Sequence, residues 1–348
     1  MEAQLILENG MRFSGRLFGA IHNVVGEVVF TTGMTGYQET LTDPSFAGQI
    51  VTMTFPLIGN YGINFEDMES DSVSLSAFVV REKCDFPSNF RNEMTLDEFL
   101  RQQNVVGLEG IDTRALTRIL RQSGCMKGVI MRGNPTEEEV KALIATLDNT
   151  NVIMQTTTDI CYTLNRKAKK HIAFIDMGAK DGILRDLQKR DCKITVFPAD
   201  VSADEILSKN PDLVFLSNGP GDPLDAPGTV ETVKELLGKI PICGICMGHQ
   251  IIALALGAKT KKLKFGHHGA NHPVKDLKSS KVYITSQNHN YIVSNLPDDV
   301  EETFVNVNDG TCEGIRHKTL PIQSVQFHPE ASPGPLDMGF LFDRFLEN

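Results

Sequence analysis

The chain has 348 residues, of which 41% are hydrophobic and 22% are charged, and its formal net charge is −10. Such a composition is that of an ordinary globular protein, and at ~150 residues per domain the length predicts two domains. Residues 1–150 hold 12 Lys and Arg against 20 Asp and Glu. This acidic half argues against sequence-independent nucleic-acid binding, which needs a basic surface.

Composition also bears on the compartment. The longest apolar run within a helical pattern, residues 251–256, is far shorter than the ~20 residues of a membrane span. The first ten residues lack the basic and apolar regions of a secretory signal. Seven cysteines, an odd number without regular spacing, favour free thiols in a reducing compartment. We therefore expect a cytoplasmic protein without a membrane partner.

The first half of the chain is predicted to be β-rich, with helices late in the segment. Short apolar or β-branched runs between Gly, Pro, Asn and Asp predict strands at residues 4–7, 27–31, 50–55 and 72–80. Three helices follow. Thr95 and Glu98 form a capping-box pattern, Asp112 caps a helix that ends at Gly124, and Asn134 with Pro135 begins a third.

The second half predicts alternating strands and helices. Residues 149–160 are polar and Thr-rich and residues 165–170 are basic, so 151–170 is interpreted as the linker between domains. Beyond it we predict strands at 171–176, 193–197, 213–216 and 241–245, and helices at 181–190, 203–209, 228–237 and 248–256. Segments 282–286 and 322–327 predict antiparallel strands. The expected architecture is a β-rich α+β domain (1–150) followed by an α/β domain (171–348) with a mostly parallel central sheet.

The sequence Gly244-Ile-Cys246-Met-Gly248 stands between a predicted strand and a predicted helix. A nucleophile in such a sharp turn is lifted off the sheet and needs small residues on either side. The helix N-terminus favours the thiolate of Cys246, and the backbone N–H of Met247 would point toward an oxyanion. The alternative is a buried structural cysteine with glycines for packing.

Two other features have weaker functional interpretations. Cys243 and Cys246 form a C-x-x-C pair, but nothing in the sequence supplies the further ligands of a zinc site, and Cys243 is expected to pack inside. We therefore predict no metal site. The basic run 259–264 is interpreted as a solvated strand or turn, with anion attraction as the minority alternative.

His328 and Glu330 are candidates for a base and its orienting partner. An apolar strand ends at His328, Pro329 favours extended backbone before it, and residues i and i+2 share a face. Glu330 could therefore hold the imidazole while its other nitrogen accepts the thiol proton. The alternative is an exposed histidine in a turn.

The segment Ser217-Asn-Gly-Pro-Gly-Asp-Pro223 follows a buried strand. Its Gly219 and Gly221 favour a tight turn at the carboxyl end of the sheet, where open α/β sheets bind ligands. One backbone N–H there could be a second oxyanion donor. A plain turn is the alternative.

Together these three segments, in this order and each at a strand end, resemble the class I (triad) glutamine amidotransferases over residues 171–348. In the first half, Thr32-Gly-Met-Thr-Gly-Tyr-Gln-Glu39 and Gly110-Ile-Asp-Thr-Arg-Ala-Leu-Thr-Arg118 resemble the amino-terminal domain of carbamoyl-phosphate synthase small chains. Lys264-Phe-Gly-His-His-Gly-Ala-Asn-His-Pro273 and Ser286-Gln-Asn-His289 resemble the same family.

The resemblance implies a glutaminase in which Cys246 is the nucleophile, His328 the base and acid, and Glu330 its orienter. It also implies contacts to L-glutamine or the oxyanion, at Ser45, Gly219, Gly221, Met247, Gln250, Asn288, Asn290 and Tyr291. With Ser45 in the first domain, the resemblance places the site near the domain interface. The implied partner is a large subunit that carries ATP and Mg²⁺ and makes carbamoyl phosphate for arginine or pyrimidine biosynthesis. No cofactor is implied for this chain.

Two positions depart from the usual family pattern. Asn290 and Tyr291 stand where Gly and Phe are usual, and Met247 where Leu is more frequent. Asn tolerates a positive φ better than most residues, so we expect the backbone contact to survive. Two alternatives remain: an amidotransferase subunit of another pathway, such as anthranilate or guanylate synthesis, and a non-catalytic regulatory subunit.

Overall fold

The computed structural model describes residues 1–347. The chain divides into two compact units, Met1–Asn149 and Thr150–Asn348. In the first unit the strands are β1 Glu2–Leu7, β2 Arg12–Gly19, β3 Val24–Thr31, β4 Gln49–Met53, β5 Leu57–Ile58, β6 Ala77–Val79, β7 Glu82–Lys83, β8 Val106–Glu109 and β9 Met126–Arg132. The helices are α1 Tyr37–Thr42, α2 Leu96–Gln102, α3 Thr113–Ser123 and α4 Glu137–Ile144.

Within this described part, seven strands close into a barrel in the order β1-β2-β8-β6-β4-β3-β9. Strands β3, β4, β6 and β8 are parallel neighbours, whereas the remaining pairs are antiparallel. The predicted strands 4–7, 27–31, 50–55 and 72–80 overlap β1, β3, β4 and β6. Closure removes the exposed edges that an open sheet would leave.

The helix starts follow local capping chemistry. The capping box of Thr95 and Glu98 is present as predicted. Asp112 accepts a hydrogen bond from the N–H of Ala115 at 2.9 Å, and Gly124 ends α3 with φ 99°. The predicted cap at Asn134 is wrong, because Thr136 caps α4 and forms a capping box with Glu139.

We expect Asp112→Ala to destabilise the first unit by about 1 kcal/mol, because the N–H of Ala115 loses its acceptor at the start of α3. Urea denaturation followed by circular dichroism measures this as a lower midpoint with an unchanged slope. Asp71→Ala, which removes an exposed carboxylate from a loop, is the matched control. Equal midpoints for the two variants would contradict the capping role.

The second unit contains α5 Val152–Thr156, α6 Asp181–Lys189, α7 Ala203–Ser208, α8 Pro227–Leu236, α9 Met247–Ala255 and α10 Leu341–Leu346. Its strands are β10 Tyr162–Leu164, β11 Lys170–Asp176, β12 Cys192–Pro198, β13 Leu213–Leu216, β14 Ile242–Ile245, β15 Lys259–Asp276, β16 Val282–Ser294, β17 Val300–Asn306, β18 Cys312–His317 and β19 Ile322–Val325. The described residues form a ten-stranded sheet, ordered β10-β12-β11-β13-β14-β19-β18-β17-β15-β16.

The centre of this sheet is parallel and covered on both faces, as predicted. Strands β12, β11, β13, β14 and β19 run parallel. Along β11, Ile172 and Phe174 belong to one buried cluster, whereas Ala173 and Ile175 belong to another. Such alternation is expected when each face of a strand packs against helices.

Two predicted segments differ in detail. Strand β19 was expected to be antiparallel, but it pairs antiparallel only with β18 and runs parallel to β14. Residues 151–170 were interpreted as a linker, yet they include α5 and β10, and β10 pairs antiparallel with β12. Ile153 is buried in the core of the second unit, and Thr157 donates a hydrogen bond to the carbonyl of Asp176 at 2.6 Å. The threonines that made this stretch look like a linker bind it to the sheet.

Among the described residues, no helix combines the length and the apolar character needed to cross a membrane.

Candidate active site

Cys246 lies in a sharp turn between β14 and α9. Its backbone has φ 54° and ψ −105°, a conformation that side-chain-bearing residues rarely adopt, and its N–H donates to the carbonyl of Val325 at 2.9 Å. The residue is 2% exposed, and the sulfur lies 3.6 Å from the carbonyl oxygen of Asn288. The turn therefore holds a thiol at the N-terminus of a helix, at the carboxyl end of a parallel strand.

The glycines beside Cys246 are required by close backbone approach. A Cβ on Gly244 would lie 2.8 Å from the carbonyl carbon of Gly248. A Cβ on Gly248 would lie 2.5 Å from the carbonyl oxygen of Leu216. Both distances are far below van der Waals contact, so the predicted need for small residues on either side of Cys246 is confirmed.

His328 and Glu330 form a buried pair just beyond β19. Nδ1 of His328 lies 2.6 Å from Oε1 of Glu330, and the His328 N–H donates to the carbonyl of Ser286 at 2.9 Å. Both side chains are almost completely buried. The Nε2 atom of His328 has no hydrogen-bond partner among the described residues. One nitrogen is thus oriented by a carboxylate while the other is available to a substrate or a thiol.

The charges around this pair favour an imidazolium and a carboxylate. Burial alone would lower the pKa of His328, but the charges of Glu330 and Cys246 outweigh it and raise that pKa well above its usual value. Burial would likewise raise the pKa of Glu330, but Lys180 and His328 lower it to about 2. The geometry therefore supports an ion pair at neutral pH.

Lys180 is a site residue that the sequence reasoning missed. It lies before α6, its side chain is 3% exposed, and its Nζ is 3.0 Å from Oε1 of Glu330. The ammonium also donates to the carbonyl of Ala331. A buried lysine needs a partner, and here the partner lies 150 residues away in the chain. The available signal was its position just after β11, at the carboxyl edge of the sheet.

The segment after β13 packs against the start of α9. The N–H of Gly248 donates to the carbonyl of Ser217 at 2.9 Å. A Cβ on Gly219 would lie 2.3 Å from the carbonyl oxygen of Met177, and Gly221 has φ 89°. Gly219 is therefore required by close backbone approach and Gly221 by its positive φ. The turn is held beside the helix that begins at Met247.

The predicted glutamine-contacting residues of α9 and β16 are joined by hydrogen bonds. Nε2 of Gln250 donates to the carbonyl of Tyr291 at 2.8 Å. The side-chain oxygens of Asn288 and Asn290 lie 2.8 and 3.0 Å from the two ring nitrogens of His268. In the sequence His268 is only one residue of the motif at 264–273, and nothing there predicts this bridging position.

Asn290 belongs to strand β16, where the register with β15 shifts between Lys262 and His267, and it is not among the residues with positive φ. The expectation that the usual glycine reflects a left-handed backbone at this position is therefore wrong for this chain. The side chain of Asn290 instead occupies space beside Gly266, where a Cβ would lie 2.4 Å from its Oδ1.

Ser45 lies in the first unit, in a short 3₁₀ helix, Pro44–Phe46. It is buried, and its N–H donates to Oδ1 of Asp43 at 2.9 Å. Pro44 and the Asp43 cap fix this turn locally.

Cys243 packs inside, as predicted. Its sulfur lies 3.8 Å from the carbonyl oxygen of Phe345, within the apolar cluster that also contains Phe215. Among the described residues, none of the seven cysteines forms a disulfide. The C-x-x-C pair of Cys243 and Cys246 forms no disulfide in this structure.

Two family matches cover most of the chain. Residues 173–348 match "Glutamine amidotransferase class-I", and residues 5–130 match "Carbamoyl-phosphate synthase small chain, CPSase domain". The chain belongs to the carbamoyl phosphate synthase small chain family. Its second unit makes it an enzyme of the glutamine amidotransferase class.

Two similar proteins agree with this membership in the small chain family. A carbamoyl phosphate synthase small chain of Clostridium perfringens is 57% identical over 347 residues, covering 100% of this chain and 99% of that protein. A pyrimidine-specific small chain of Bacillus subtilis is 50% identical, covering 100% and 96%. Among solved structures, a putative GMP synthase subunit from Thermoplasma acidophilum is 27% identical, with a TM-score of 0.46, covering 51% of this chain and 92% of that one.

Proposed function

We propose that this chain hydrolyses L-glutamine through Cys246, His328 and Glu330 and delivers the ammonia to the large subunit of carbamoyl phosphate synthase. The observation that carries the proposal is the thiol of Cys246 in a strained turn beside the buried His328–Glu330 pair. A nucleophile, a base and an orienting carboxylate are the three groups that covalent amide hydrolysis requires.

In the proposed reaction the thiolate of Cys246 attacks the side-chain amide carbon of glutamine. The tetrahedral oxyanion accepts hydrogen bonds from the backbone N–H groups of Gly219 and Met247, each worth about 3–4 kcal/mol in comparable sites. His328 protonates the amide nitrogen, the C–N bond breaks, and ammonia leaves a thioester. His328 then takes a proton from water, whose oxygen attacks the thioester carbon. The C–S bond breaks, which releases glutamate and restores the thiolate of Cys246 beside the protonated His328.

The remaining predicted residues have binding roles in this proposal. The segments next to Cys246 contribute four of these residues, Gln250, Asn288, Asn290 and Tyr291. Gly221 shapes the turn that follows β13. Ser45 is assigned to glutamine binding on the family resemblance. Lys180 acts as a positioning residue, because it neutralises Glu330 and holds it against His328.

The large subunit is the proposed destination of the ammonia. Ammonia released into bulk water would be protonated and lost as a nucleophile, so transfer favours a tight complex. The proposed partner binds ATP and Mg²⁺ and forms carbamoyl phosphate from bicarbonate and ammonia. A reducing compartment such as the cytoplasm suits an enzyme whose nucleophile is a free thiol.

The family match over residues 5–130 favours this function over an amidotransferase of another pathway. The oriented His328 and the thiol of Cys246 favour it over a non-catalytic regulatory chain.

The decisive experiment is a glutaminase assay of the purified chain, alone and with the co-expressed large subunit. We expect glutamate release in both cases and glutamine-dependent carbamoyl phosphate synthesis only with the large subunit present. Absence of glutamate release under both conditions would contradict the proposal. So would a chain that hydrolyses glutamine but gives no carbamoyl phosphate with a large subunit that is active on ammonia.

A further inference from the structure

Three buried side chains of the second unit converge where β15, β16 and β18 lie together. His267 and His289 are opposite each other in the register of β15 and β16, and Glu313 belongs to β18. One potential ligand atom from each lies within 4.8 Å of the other two. The three residues are 7%, 5% and 0% exposed. The glutaminase mechanism gives none of them a role.

His267 and Glu313 are each held by a neighbouring side chain through one polar atom, and their other polar atom has no partner among the described residues. Nε2 of His267 lies 2.8 Å from the Asp309 carboxylate, whereas its Nδ1 has no hydrogen-bond partner among the described residues. Nδ1 lies 3.6 Å from Oε1 of Glu313, which is longer than a hydrogen bond. Oε1 of Glu313 accepts from Asn306 at 3.0 Å, while its Oε2 has no partner in residues 1–347.

His289 is oriented in the same manner. Its Nδ1 lies 2.8 Å from the carbonyl oxygen of Tyr291, so this nitrogen carries the proton and donates it. The other nitrogen, Nε2, then holds a lone pair and lies 3.0 Å from Oε1 of Gln287, an oxygen that cannot donate to it. Each histidine thus donates from one nitrogen to an oxygen acceptor, which leaves a lone pair on the other nitrogen.

We propose that His267, His289 and Glu313 form a binding site for a divalent transition-metal ion of the Zn²⁺ type. Two imidazoles and one carboxylate are a common protein ligand set for zinc, with the fourth position left to water or another ligand. Metal-bound histidines usually donate their second N–H to a carboxylate or a backbone carbonyl, as His267 does to Asp309 and His289 does to Tyr291. The carboxylates of Glu313 and Asp309 would balance the charge of the ion.

A buried ion pair is the competing explanation of this cluster. An imidazolium at His267 between Asp309 and Glu313 would satisfy the charges without any metal. It would leave two buried polar atoms of His267 and Glu313 unpartnered, which is costly. A metal ion uses both atoms as ligands.

The sequence predicted no metal site, because the three ligands lie on separate strands and show no recognisable spacing. His267 and Glu313 are 46 positions apart and meet only through the strand order of the sheet.

The test is direct metal binding to the full chain, first freed of metal with a chelator. All proteins carry Cys246→Ala, because the active-site thiol is itself a ligand for soft metals. Zn²⁺ is titrated by calorimetry, and Co²⁺ is followed by its tetrahedral absorption. We expect one equivalent per chain, bound without the charge-transfer band of a thiolate ligand.

Variants of the ligands decide whether these residues bind the ion. We expect His267→Ala and Glu313→Gln to lose stoichiometric binding. Asp309→Asn keeps all three ligands and should weaken binding by roughly 10–100-fold, the usual effect of losing a group that orients a metal-bound histidine. The matched control is His317→Gln, since His317 is also buried and lies 3.3 Å from a carboxylate of Asp299, but outside the cluster. It should bind as the parent does.

The proposal would be overturned if the Cys246→Ala chain bound less than one equivalent of metal. Equal binding by that chain and by the two ligand variants would also overturn it. Circular dichroism shows whether the ligand variants are folded. If they are not, Asp309→Asn decides the matter, because unchanged affinity in that variant contradicts the arrangement. None of these measurements depends on glutamine hydrolysis.

Discussion

Replacing Cys246 by serine should abolish glutamine-dependent carbamoyl phosphate synthesis by the complex while leaving ammonia-dependent synthesis intact. A serine fits the same turn but stays a neutral hydroxyl at pH 7, whereas the proposed reaction needs a thiolate. Loss of the nucleophile in a comparable hydrolase costs roughly 10⁶-fold in kcat, and we expect glutamate release to fall by a similar order. Steady-state assays with glutamine and with ammonium as nitrogen source make the comparison.

Cys243→Ser is the matched control for Cys246→Ser. This cysteine lies three positions earlier, in β14, and its sulfur packs in the apolar cluster with Phe345. The control should lower stability, because a hydroxyl replaces a buried thiol, but it should keep glutaminase activity. Normal use of glutamine by the Cys246→Ser complex would remove Cys246 from the mechanism.

The parts of the site that the sequence predicts are those fixed by local backbone geometry. The turn at Cys246 is recognisable because a Cβ at Gly244 or Gly248 would lie within 3 Å of backbone atoms, so the motif reflects a steric requirement. His328 and Glu330 are two positions apart, which places them on one face without knowledge of the fold. The geometry of such a short motif can therefore be predicted from the sequence alone.

The parts that the sequence does not predict depend on chain segments that are far apart. The burial of Lys180 is explained by Glu330 and Ala331, which are distant in the chain, and the closure of the barrel depends on β2 and β9 flanking β1. The stretch 151–170 was misinterpreted because its threonines are polar, although Thr157 and Thr158 bind the backbone and side chain of Asp176. Polar residues that hydrogen-bond to the buried end of a strand cannot be distinguished from linker residues by sequence until the position of that strand is known.

Replacing Glu330 by glutamine should move the alkaline limb of the pH profile of kcat/KM to lower pH. In the native site burial lowers the pKa of His328, and the charges of Glu330 and Cys246 raise it above its usual value. Removing the carboxylate takes away part of that stabilisation of the imidazolium. His328 then loses its proton at lower pH, and with it the acid that protonates the leaving ammonia.

The kcat of Glu330→Gln should also fall, at the lower end of the roughly 10²–10⁴-fold range that positioned acid–base groups contribute. The substitution leaves the ammonium of Lys180 opposite a neutral amide, so stability should fall as well. Thermal melts establish whether the variant is folded at the assay temperature. Because Glu330 is buried, this substitution changes both the charge beside His328 and the way its ring is held. A second variant is needed to separate these two effects.

Glu330→Asp separates charge from position, because it keeps the carboxylate but shortens the side chain. We expect this variant to lose kcat through poorer alignment with His328 while its alkaline limb stays closer to that of the native enzyme. If both variants retain the native limb, Glu330 acts only by position and the charge of the pair is irrelevant to the proton transfer. If only Glu330→Gln shifts the limb, the carboxylate sets the protonation state of His328, as the buried geometry of Lys180, Glu330 and His328 requires.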